Sequence, residues 1–489
     1  MTTLDNATTT EVRAQLTDGP LIGSVRPDGT RAFLGITFAR APRFTPAIPE
    51  KPWSEPRRAL DHGPICPQVA GLMESAMGVT LPPMDEECLS LGVQTPGQDA
   101  PGRPTTGWPV LVWIHGGAYL NGSGSTPWYD GAALARQGAV VVTINYRLGV
   151  FGFWRDDNLG LGDQIEALRW VRRNVAGFGG DPDNVTIFGE SAGGSSVVAL
   201  MASPDARGLF RRVWSMSPSI GQYRSIERAE KHAARFLEIA GVANDEALRD
   251  LSSERLLEIQ NAVIAEGGRA FDHFAPTAGG AHLPGDIVEL AARSDAHLVV
   301  GTTRDENRLF GAFTPEAQNM TTDTMRSMIG AMLPGSDAAV DVYRRHRPGE
   351  TDAQIVMAAQ TDEGFRQRAI RLAEKRAAAG RSTHMYWFTW PTPAFGGAMG
   401  SCHAIDIPFT FDNLDAPGIS MFTGDAPERA DLARDVSTQL VSFAATGALD
   451  WPAFDLERRA TRVFDLAPSV IDDPEPEIRA LWETARPDL

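Results

Sequence analysis

The stretch FGESAGGSS, residues 188–196, constrains the fold of this chain more than any other feature. It follows the apolar, β-branched run NVTI and leads into VVALMAS, so it lies where a predicted strand becomes a predicted helix. Gly189, Ser191 and Gly193 match G-x-S-x-G, a turn so sharp that side chains two residues either side of the serine would collide. The pattern predicts an exposed serine hydroxyl at a helix N-terminus, where backbone amides favour developing negative charge.

A second glycine-rich stretch, WIHGGAYLNGSGS at 113–125, follows the apolar run VLVWI. A serine that attacks a carbonyl carbon needs hydrogen-bond donors for the oxyanion that forms. Small residues directly after a strand let backbone amides approach that oxygen closely. The alternative is a flexible turn with no chemical role. A phosphate-binding loop is excluded, because the sequence contains no G-x-x-x-x-G-K-[ST].

Short apolar runs alternate with helical patterns along the chain. The predicted strands are 110–114, 139–146, 184–189, 297–303 and 385–390, and the predicted helices include 130–137, 162–178 and 193–202. This alternation is typical of an α/β protein with a large, mainly parallel twisted sheet and helices on both faces. We expect a single domain over 1–489, with mainly helical insertions at roughly 204–296 and 310–382.

The charge balance restricts the partners. The formal net charge of −17 disfavours nucleic acid and anionic membranes, since both need a basic face. No apolar run reaches the roughly 18 residues that span a membrane, and the N-terminus does not resemble a secretory signal. We therefore expect a cytoplasmic protein that binds neither nucleic acid nor membranes. The three cysteines, Cys66, Cys88 and Cys402, are too few for a disulfide scaffold and have no metal-binding spacing.

Several segments match one family in order along nearly the whole chain. They are FLGITFARAPRF, DEECLSLGV, NYRLGVFGF, GLGDQIEALRWVRRNVAGFGGDPDNVTIFGESAGG and CHAIDIPFTFDNL. The chain resembles the type-B carboxylesterases of the α/β-hydrolase fold, a family that includes para-nitrobenzyl esterases and cholinesterases. The resemblance implies a serine esterase that hydrolyses carboxylic esters through an acyl-enzyme, with no metal or organic cofactor.

The resemblance also implies the site residues. Ser191 is the nucleophile, His403 in GSCHAIDIPF is the base, and Glu306 in GTTRDEN is the acid. The segment RDEN offers two acids, and the family match selects Glu306 over Asp305. The oxyanion donors implied are the backbone amides of Gly117, Ala118 and Ala192. His115, in the glycine-rich loop, is expected to be a structural hydrogen-bonding group rather than a base.

Three positions depart from the family pattern. Asp85 replaces the serine of its SEDCL signature, Gly92 replaces an asparagine, and Gly279 stands at an aspartate position. These changes alter loops rather than the triad. No tryptophan lies between Cys66 and Cys88, where choline-binding relatives carry one, so choline specificity is not supported.

Two alternative functions stay open. Some relatives lack the nucleophile and act only through partner contacts, so the chain could be an inactive binding module; the presence of all three triad residues argues against this. The same machinery also serves amides, carbamates and lactones.

Other features are less determined by the sequence. Met73, Met77, Leu81 and Met84 either overhang the substrate pocket or belong to the core. Cys66 and Cys88 are expected to lie close together, because secreted relatives bridge the matching positions, and to be reduced in the cytoplasm. The sequence leaves the oligomeric state open, and we expect a monomer.

Overall fold

The computed structural model describes residues 10–71, 81–267, 273–336 and 338–486. Thirteen strands of this part of the chain form one sheet. They are β1 Thr10–Gln15, β2 Pro20–Val25, β3 Arg31–Thr37, β6 Arg57–Arg58, β7 Ser90–Thr95, β8 Trp108–Ile114, β9 Val140–Ile144, β10 Gly180–Glu190, β11 Arg212–Met216, β12 His297–Thr303, β13 Thr383–Phe388, β14 Ala460–Phe464 and β15 Ser469–Asp472. Their order in the sheet is β1-β2-β3-β7-β9-β8-β10-β11-β12-β13-β14-β15, with β6 beside β2. Strands β4 Ala39–Arg40 and β5 Ile48–Pro49 pair separately.

The centre of the sheet is parallel. All neighbouring pairs from β9 to β14 are parallel, and the outer pairs β1-β2, β2-β3, β3-β7, β7-β9 and β14-β15 are antiparallel. The five predicted strands are confirmed with small shifts of their ends. The strand β11 lies inside the stretch 204–296 and was not predicted.

The α-helices connect these strands. They are α1 Ala132–Arg136, α2 Gly149–Gly152, α3 Leu159–Asn174, α4 Ala192–Ala202, α5 Ile226–Ala240, α6 Asp245–Leu248, α7 Ser253–Ala265, α8 Ile287–Ala292, α9 Arg308–Gly311, α10 Pro315–Gln318, α11 Thr322–Met332, α12 Ala339–His346, α13 Asp352–Thr361, α14 Gln367–Ala378, α15 Ile407–Thr410, α16 Ile419–Thr423, α17 Arg429–Thr446 and α18 Pro476–Ala485. A π-helical turn, Asp362–Arg366, joins α13 to α14.

The sheet is covered on both faces, as its side-chain alternation requires. Val110, Val112 and Ile114 of β8 point into one core, which α3 and α4 cover. Leu111 and Trp113, between them in sequence, point into a second core, which α17 covers. A third, smaller core lies among α11, α12, α13 and α18.

Strand order places the site. Strands β8 and β10 are neighbours, but the chain leaves β8 for β9 on one side and leaves β10 for β11 on the other, so the loops after β8 and β10 diverge above the sheet. Ligands of open α/β sheets bind at such a point, beyond the carboxyl ends of the strands. Residues 115–125 follow β8 and Ser191 follows β10. The helices of the described ranges include none with both the length and the apolar character that crossing a membrane demands.

Candidate active site

Ser191 occupies the turn between β10 and α4 with a strained backbone, φ 57° and ψ −120°. A Cβ atom at Gly193 would lie 2.0 Å from the carbonyl oxygen of Ile114, and one at Gly189 would lie 2.6 Å from the same oxygen. Because both contacts are with backbone of the neighbouring strand β8, no side-chain movement relieves them. The two glycines of the motif are therefore required by the close approach of β8 to the turn.

The strained turn is held by the sheet. The Ser191 amide donates to the Met216 carbonyl at the end of β11, at 3.0 Å, and the Ser191 carbonyl accepts from the Ser195 amide at 2.8 Å in the first turn of α4. The residue thereby keeps a conformation that isolated serine avoids. Ser191 lines an open cavity above the sheet.

Glu306 and His403 form a buried pair. Glu306 Oε2 lies 2.5 Å from His403 Nδ1, and Glu306 Oε1 accepts from the Ser217 hydroxyl at 2.6 Å and from the Thr303 amide at 2.8 Å. With its carboxylate held from both sides, Glu306 fixes the ring of His403 and favours the tautomer with the proton on Nδ1. This leaves the other ring nitrogen, Nε2, without a proton when the ring is neutral.

A second carboxyl group lies at that nitrogen. Glu190 Oε1 is 3.1 Å from His403 Nε2, and Glu190 directly precedes Ser191. Burial raises the pKa of Glu190 to about 8, although the charge of His403 opposes the shift. Burial lowers the pKa of His403, but the carboxylates of Glu190 and Glu306 outweigh it and raise the pKa to about 9.

Asp406 is a third buried carboxyl group near the pair. Its Oδ2 accepts a hydrogen bond from the Tyr386 hydroxyl at 2.9 Å. Burial, reinforced by the charge of Glu306, raises the pKa of Asp406 to about 7. The site therefore concentrates carboxyl groups around one imidazole, an arrangement that stabilises the imidazolium form.

The glycine-rich loop after β8 has a tightly packed and hydrogen-bonded backbone. Gly117 and Ala118 have φ of 102° and 56°, and a Cβ atom at Gly117 would lie 2.1 Å from the Asn121 carbonyl oxygen. Gln68 clamps the loop: its amide nitrogen donates to the Gly122 carbonyl at 3.0 Å, and its amide oxygen accepts from the Gly122 amide at 2.7 Å. These contacts favour an ordered loop over a flexible turn.

His115 lies beneath this loop, away from the pair formed by Glu306 and His403. It is buried, its ring stacks on Tyr146 at 4.5 Å, and its Nδ1 is 2.8 Å from the Gly116 carbonyl oxygen. Burial lowers the pKa of His115 to about 4, so the ring is neutral at physiological pH. These contacts agree with a structural role.

The cavity above Ser191 has a volume of about 420 Å³. Its lining is mainly apolar, with the side chains of Ile65, Leu81, Pro82, Pro127, Trp128, Tyr129, Leu309, Phe310, Ala404, Ile407 and Pro417. It also includes Gly116, Gly117, Ala118, Glu190 and His403 and the polar side chains of Asn121, Ser123, Ser125 and Thr126. Of the loop residues proposed from sequence, Leu81 lines the cavity and Met84 is exposed outside it. Met73 and Met77 lie outside the described residues.

Comparison with known proteins identifies the family. The sequence model that describes the carboxylesterase family matches residues 8–474 of this chain. The chain belongs to the carboxylesterase family. The para-nitrobenzyl esterase of Bacillus subtilis (strain 168) is 37% identical over 481 residues, which cover 92% of this chain and 94% of that protein. The phenmedipham hydrolase of Pseudarthrobacter oxydans is 35% identical and covers 97% of both chains.

Solved structures agree with the family. The crystal structure of a Geobacillus stearothermophilus carboxylesterase at pH 6.2 superposes with a TM-score of 0.83 at 35% identity, over 96% of this chain and 99% of that one. A para-nitrobenzyl esterase structure gives the same TM-score at 34% identity. This carboxylesterase therefore has the α/β-hydrolase fold and is a carboxylic ester hydrolase, as the sequence predicted.

Sequence reasoning missed several residues at the site of this carboxylesterase. Ser217 follows the unpredicted strand β11, and Phe365 lies in the π-helical turn with its ring 5.0 Å from that of His403. Glu190 was visible only as the unspecified position of G-x-S-x-G. The only feature of the sequence that could have pointed to Glu190 is that a charged residue stands at the end of an otherwise apolar strand. Within the described ranges, no group of three or more His, Cys, Asp and Glu side chains has metal-binding geometry.

Proposed function

We propose that Ser191, His403 and Glu306 are the nucleophile, base and acid of a triad through which this carboxylesterase forms a covalent acyl-enzyme. The observation that carries the proposal is the 2.5 Å contact between His403 Nδ1 and Glu306 Oε2. It engages one ring nitrogen, while the other, Nε2, lies 3.1 Å from a carboxylate oxygen of Glu190, the residue that precedes Ser191. Serine catalysis requires a nucleophile, a base and an acid that orients the base.

The reaction has two halves. His403 Nε2 takes the proton of Ser191 as the oxygen attacks the ester carbonyl carbon, and a tetrahedral oxyanion forms. When the intermediate collapses, His403 gives this proton to the leaving alcohol and the acyl group stays on Ser191. A water molecule then repeats the sequence, with His403 as base, and the acid is released. Glu306 stabilises the imidazolium in both halves.

The oxyanion is held, in this proposal, by the backbone amides of Gly117, Ala118 and Ala192. The support is that all three lie in ordered backbone: Gly117 and Ala118 belong to the loop that Gln68 holds by two hydrogen bonds, and Ala192 begins α4 directly after Ser191. Donors that are already oriented stabilise the transition state without reorganisation, and the loss of one such donor costs about 10²–10³ in turnover.

The cavity favours an apolar ester. Its larger lining side chains are mostly aliphatic or aromatic, so the apolar parts of an ester gain free energy by burial against them. We propose that residues 1–489 form one catalytic domain, because the two main cores share a single sheet. We also propose that the enzyme works as a monomer.

Ser191→Ala tests the proposal. The variant should lose nearly all hydrolysis of nitrophenyl esters while keeping the melting temperature of the parent. An organophosphate should add one label per chain to the parent and none to Ser191→Ala, and Ser125→Ala, which removes another cavity hydroxyl, should still be labelled. Persisting label in the Ser191→Ala variant would refute the assignment.

The two alternatives give different results with the parent enzyme. A binding module would release no nitrophenol from any ester. A hydrolase specialised for amides would cleave chromogenic anilides with a higher kcat/KM than the matching esters. A burst of nitrophenol equal to the enzyme concentration would support the acyl-enzyme.

A further inference from the structure

The mouth of the cavity is bordered by an exposed aromatic surface. Phe310 lines the cavity, its ring is 5.2 Å from that of His403, and 36% of the residue is exposed. Beyond it, Phe313 is 53% exposed and Phe395 is 60% exposed, and their rings meet edge to face at 5.5 Å. Met421, on α16, is 57% exposed. We call Phe313, Phe395 and Met421 the rim patch.

Two residues of the rim patch follow cavity-lining segments closely in the sequence. Leu309 and Phe310 line the cavity, and Phe313 follows two residues after the end of α9. Pro417 also lines the cavity, two residues before α16 begins. The α16 helix is tied to the segment that carries Phe395, because the Thr392 hydroxyl donates to the Phe422 carbonyl at 2.6 Å. Each of the two cavity-lining segments therefore continues into a residue of the rim patch.

This clustering is unusual for the surface of the protein. In the described part of the chain, twelve large apolar side chains are strongly exposed, and Phe310, Phe313, Phe395 and Met421 are four of them. The three phenylalanines in that set all lie at this mouth. Scattered exposed apolar residues need no explanation, but a contiguous apolar patch at a cavity indicates a binding surface.

The backbone presents Phe395 to solvent. Phe395, Gly396 and Gly397 are all left-handed, with φ of 52°, 65° and 79°. A bulky residue avoids this region, and such strain is typical of functional sites. Here no burial of the ring offsets the strain, since Phe395 contacts solvent and Phe313. The turn therefore keeps an aromatic ring outside the core at a cost in stability.

We propose that the rim patch binds the outer part of the long apolar chain of ester substrates whose reacting end occupies the cavity. The inference rests on the proposed function of Ser191 and adds the substrate class. A cavity of about 420 Å³ lies at the small end of the range of about 300–1,000 Å³ for small-molecule sites, so a long chain extends beyond it. Each buried methylene group strengthens binding by about fourfold, and partial burial on the rim gives a smaller factor.

The test uses nitrophenyl esters from acetate to dodecanoate, each below its critical micelle concentration. The double variant Phe313→Ser, Phe395→Ser should hydrolyse acetate and butyrate as the parent does. On dodecanoate its kcat/KM should fall about tenfold, with the loss in KM rather than kcat, because the rim contacts are made equally in the ground state and the transition state. Leu456→Ser, Leu466→Ser is the matched control: both leucines are half-exposed near the β14–β15 edge.

Three outcomes would overturn the inference. The first is an unchanged kcat/KM on dodecanoate, and the second is an equal loss on every ester with an unchanged melting temperature. The third is a loss that occurs only above the critical micelle concentration, which would mean adsorption to aggregates. If the parent hydrolyses no ester at all, the proposed function of Ser191 fails instead, so the two failures are distinguishable.

Discussion

Asp305 and Ser401 hold each other through two hydrogen bonds. The Asp305 amide donates to the Ser401 carbonyl at 2.8 Å, and the Ser401 amide donates to Asp305 Oδ2 at 3.0 Å. Asp305 precedes Glu306 and Ser401 lies two residues before His403, so this clasp fixes the separation of the carboxylate and the imidazole. The two adjacent acids thus have different tasks: Glu306 contacts the ring, and Asp305 holds the two loops together.

Glu306→Gln should lower kcat by about 10⁴, the size of the effect of the equivalent change in another serine hydrolase. The amide keeps the volume of the carboxylate but can present its NH₂ group to His403 Nδ1 and favour the wrong tautomer. The measurement is kcat on a short nitrophenyl ester at saturation. A loss of tenfold or less would show that Glu306 does not orient the base.

Asp305→Asn is the matched comparison and should lower kcat by roughly tenfold or less, because a residue that acts through another only supports it. Its larger effect should be on stability. Asp305 is buried among Arg304, Arg308 and Arg347 at 3.0–3.7 Å, and removal of its charge leaves them without that partner. We expect a loss of about 3 kcal/mol in the free energy of unfolding in urea. A greater loss of kcat than in Glu306→Gln would reverse the assignment of the acid.

Glu190→Gln should move the pH profile. His403 acts as a base only when neutral, and its pKa is raised to about 9, so kcat/KM should increase as the pH rises toward that value. The substitution removes one of the carboxylates that raise this pKa, and an opposite charge at such a distance shifts a pKa by about 1–3 units. The acidic limb should therefore move to lower pH by at least about one unit.

The control for this profile is Glu166→Gln. Glu166 is also buried, but it pairs with Arg173 on α3 and does not contact the site. The acidic limb of the kcat/KM profile of Glu166→Gln should coincide with that of the parent enzyme. If the limb of Glu190→Gln also stays in place, Glu190 does not interact with His403 in solution.

Gly193→Ala should destabilise the enzyme by about 3 kcal/mol or more and abolish ester hydrolysis, because the added Cβ would lie 2.0 Å from the Ile114 carbonyl oxygen in β8. Gly330→Ala is the opposite case: the glycine is exposed within α11 with no atom within 4 Å of the added Cβ. It should stabilise by up to about 1 kcal/mol. The measurement is the thermal and urea unfolding of both variants. Similar changes in stability for the two substitutions would contradict the explanation that the Cβ atom at position 193 collides with β8.

Cys66 and Cys88 should form a disulfide on mild oxidation of the folded protein. Both are buried free thiols in contact, and a hydrogen bond with the Cys66 thiol, together with burial, raises the pKa of Cys88. The bridge should add about 3 kcal/mol in the chain-entropy model. Thiol titration of the unfolded protein should give three free thiols before oxidation and one after it, and Cys402→Ser should lower both counts by one. Three thiols after oxidation would mean that the pair cannot be bridged.

Local sequence determined the turn at Ser191, because two glycines around a serine between a strand and a helix satisfy a constraint that acts within five residues. It likewise determined the alternation of strands and helices, since a strand of a parallel sheet buried on both faces, such as β8, is apolar over its whole length. Family resemblance then selected Glu306 and His403, which no local pattern joins.

Tertiary structure alone decided what surrounds these residues. Glu190 meets His403 Nε2, and Ser217 meets Glu306, only because loops from β10, β11, β12 and the segment after β13 converge at one edge of the sheet. Phe313 and Phe395 are 82 residues apart in the sequence and pack together at the cavity mouth. The pKa values of the buried carboxyl groups depend on that same convergence, because burial and neighbouring charge are properties of packing and not of any short stretch of chain.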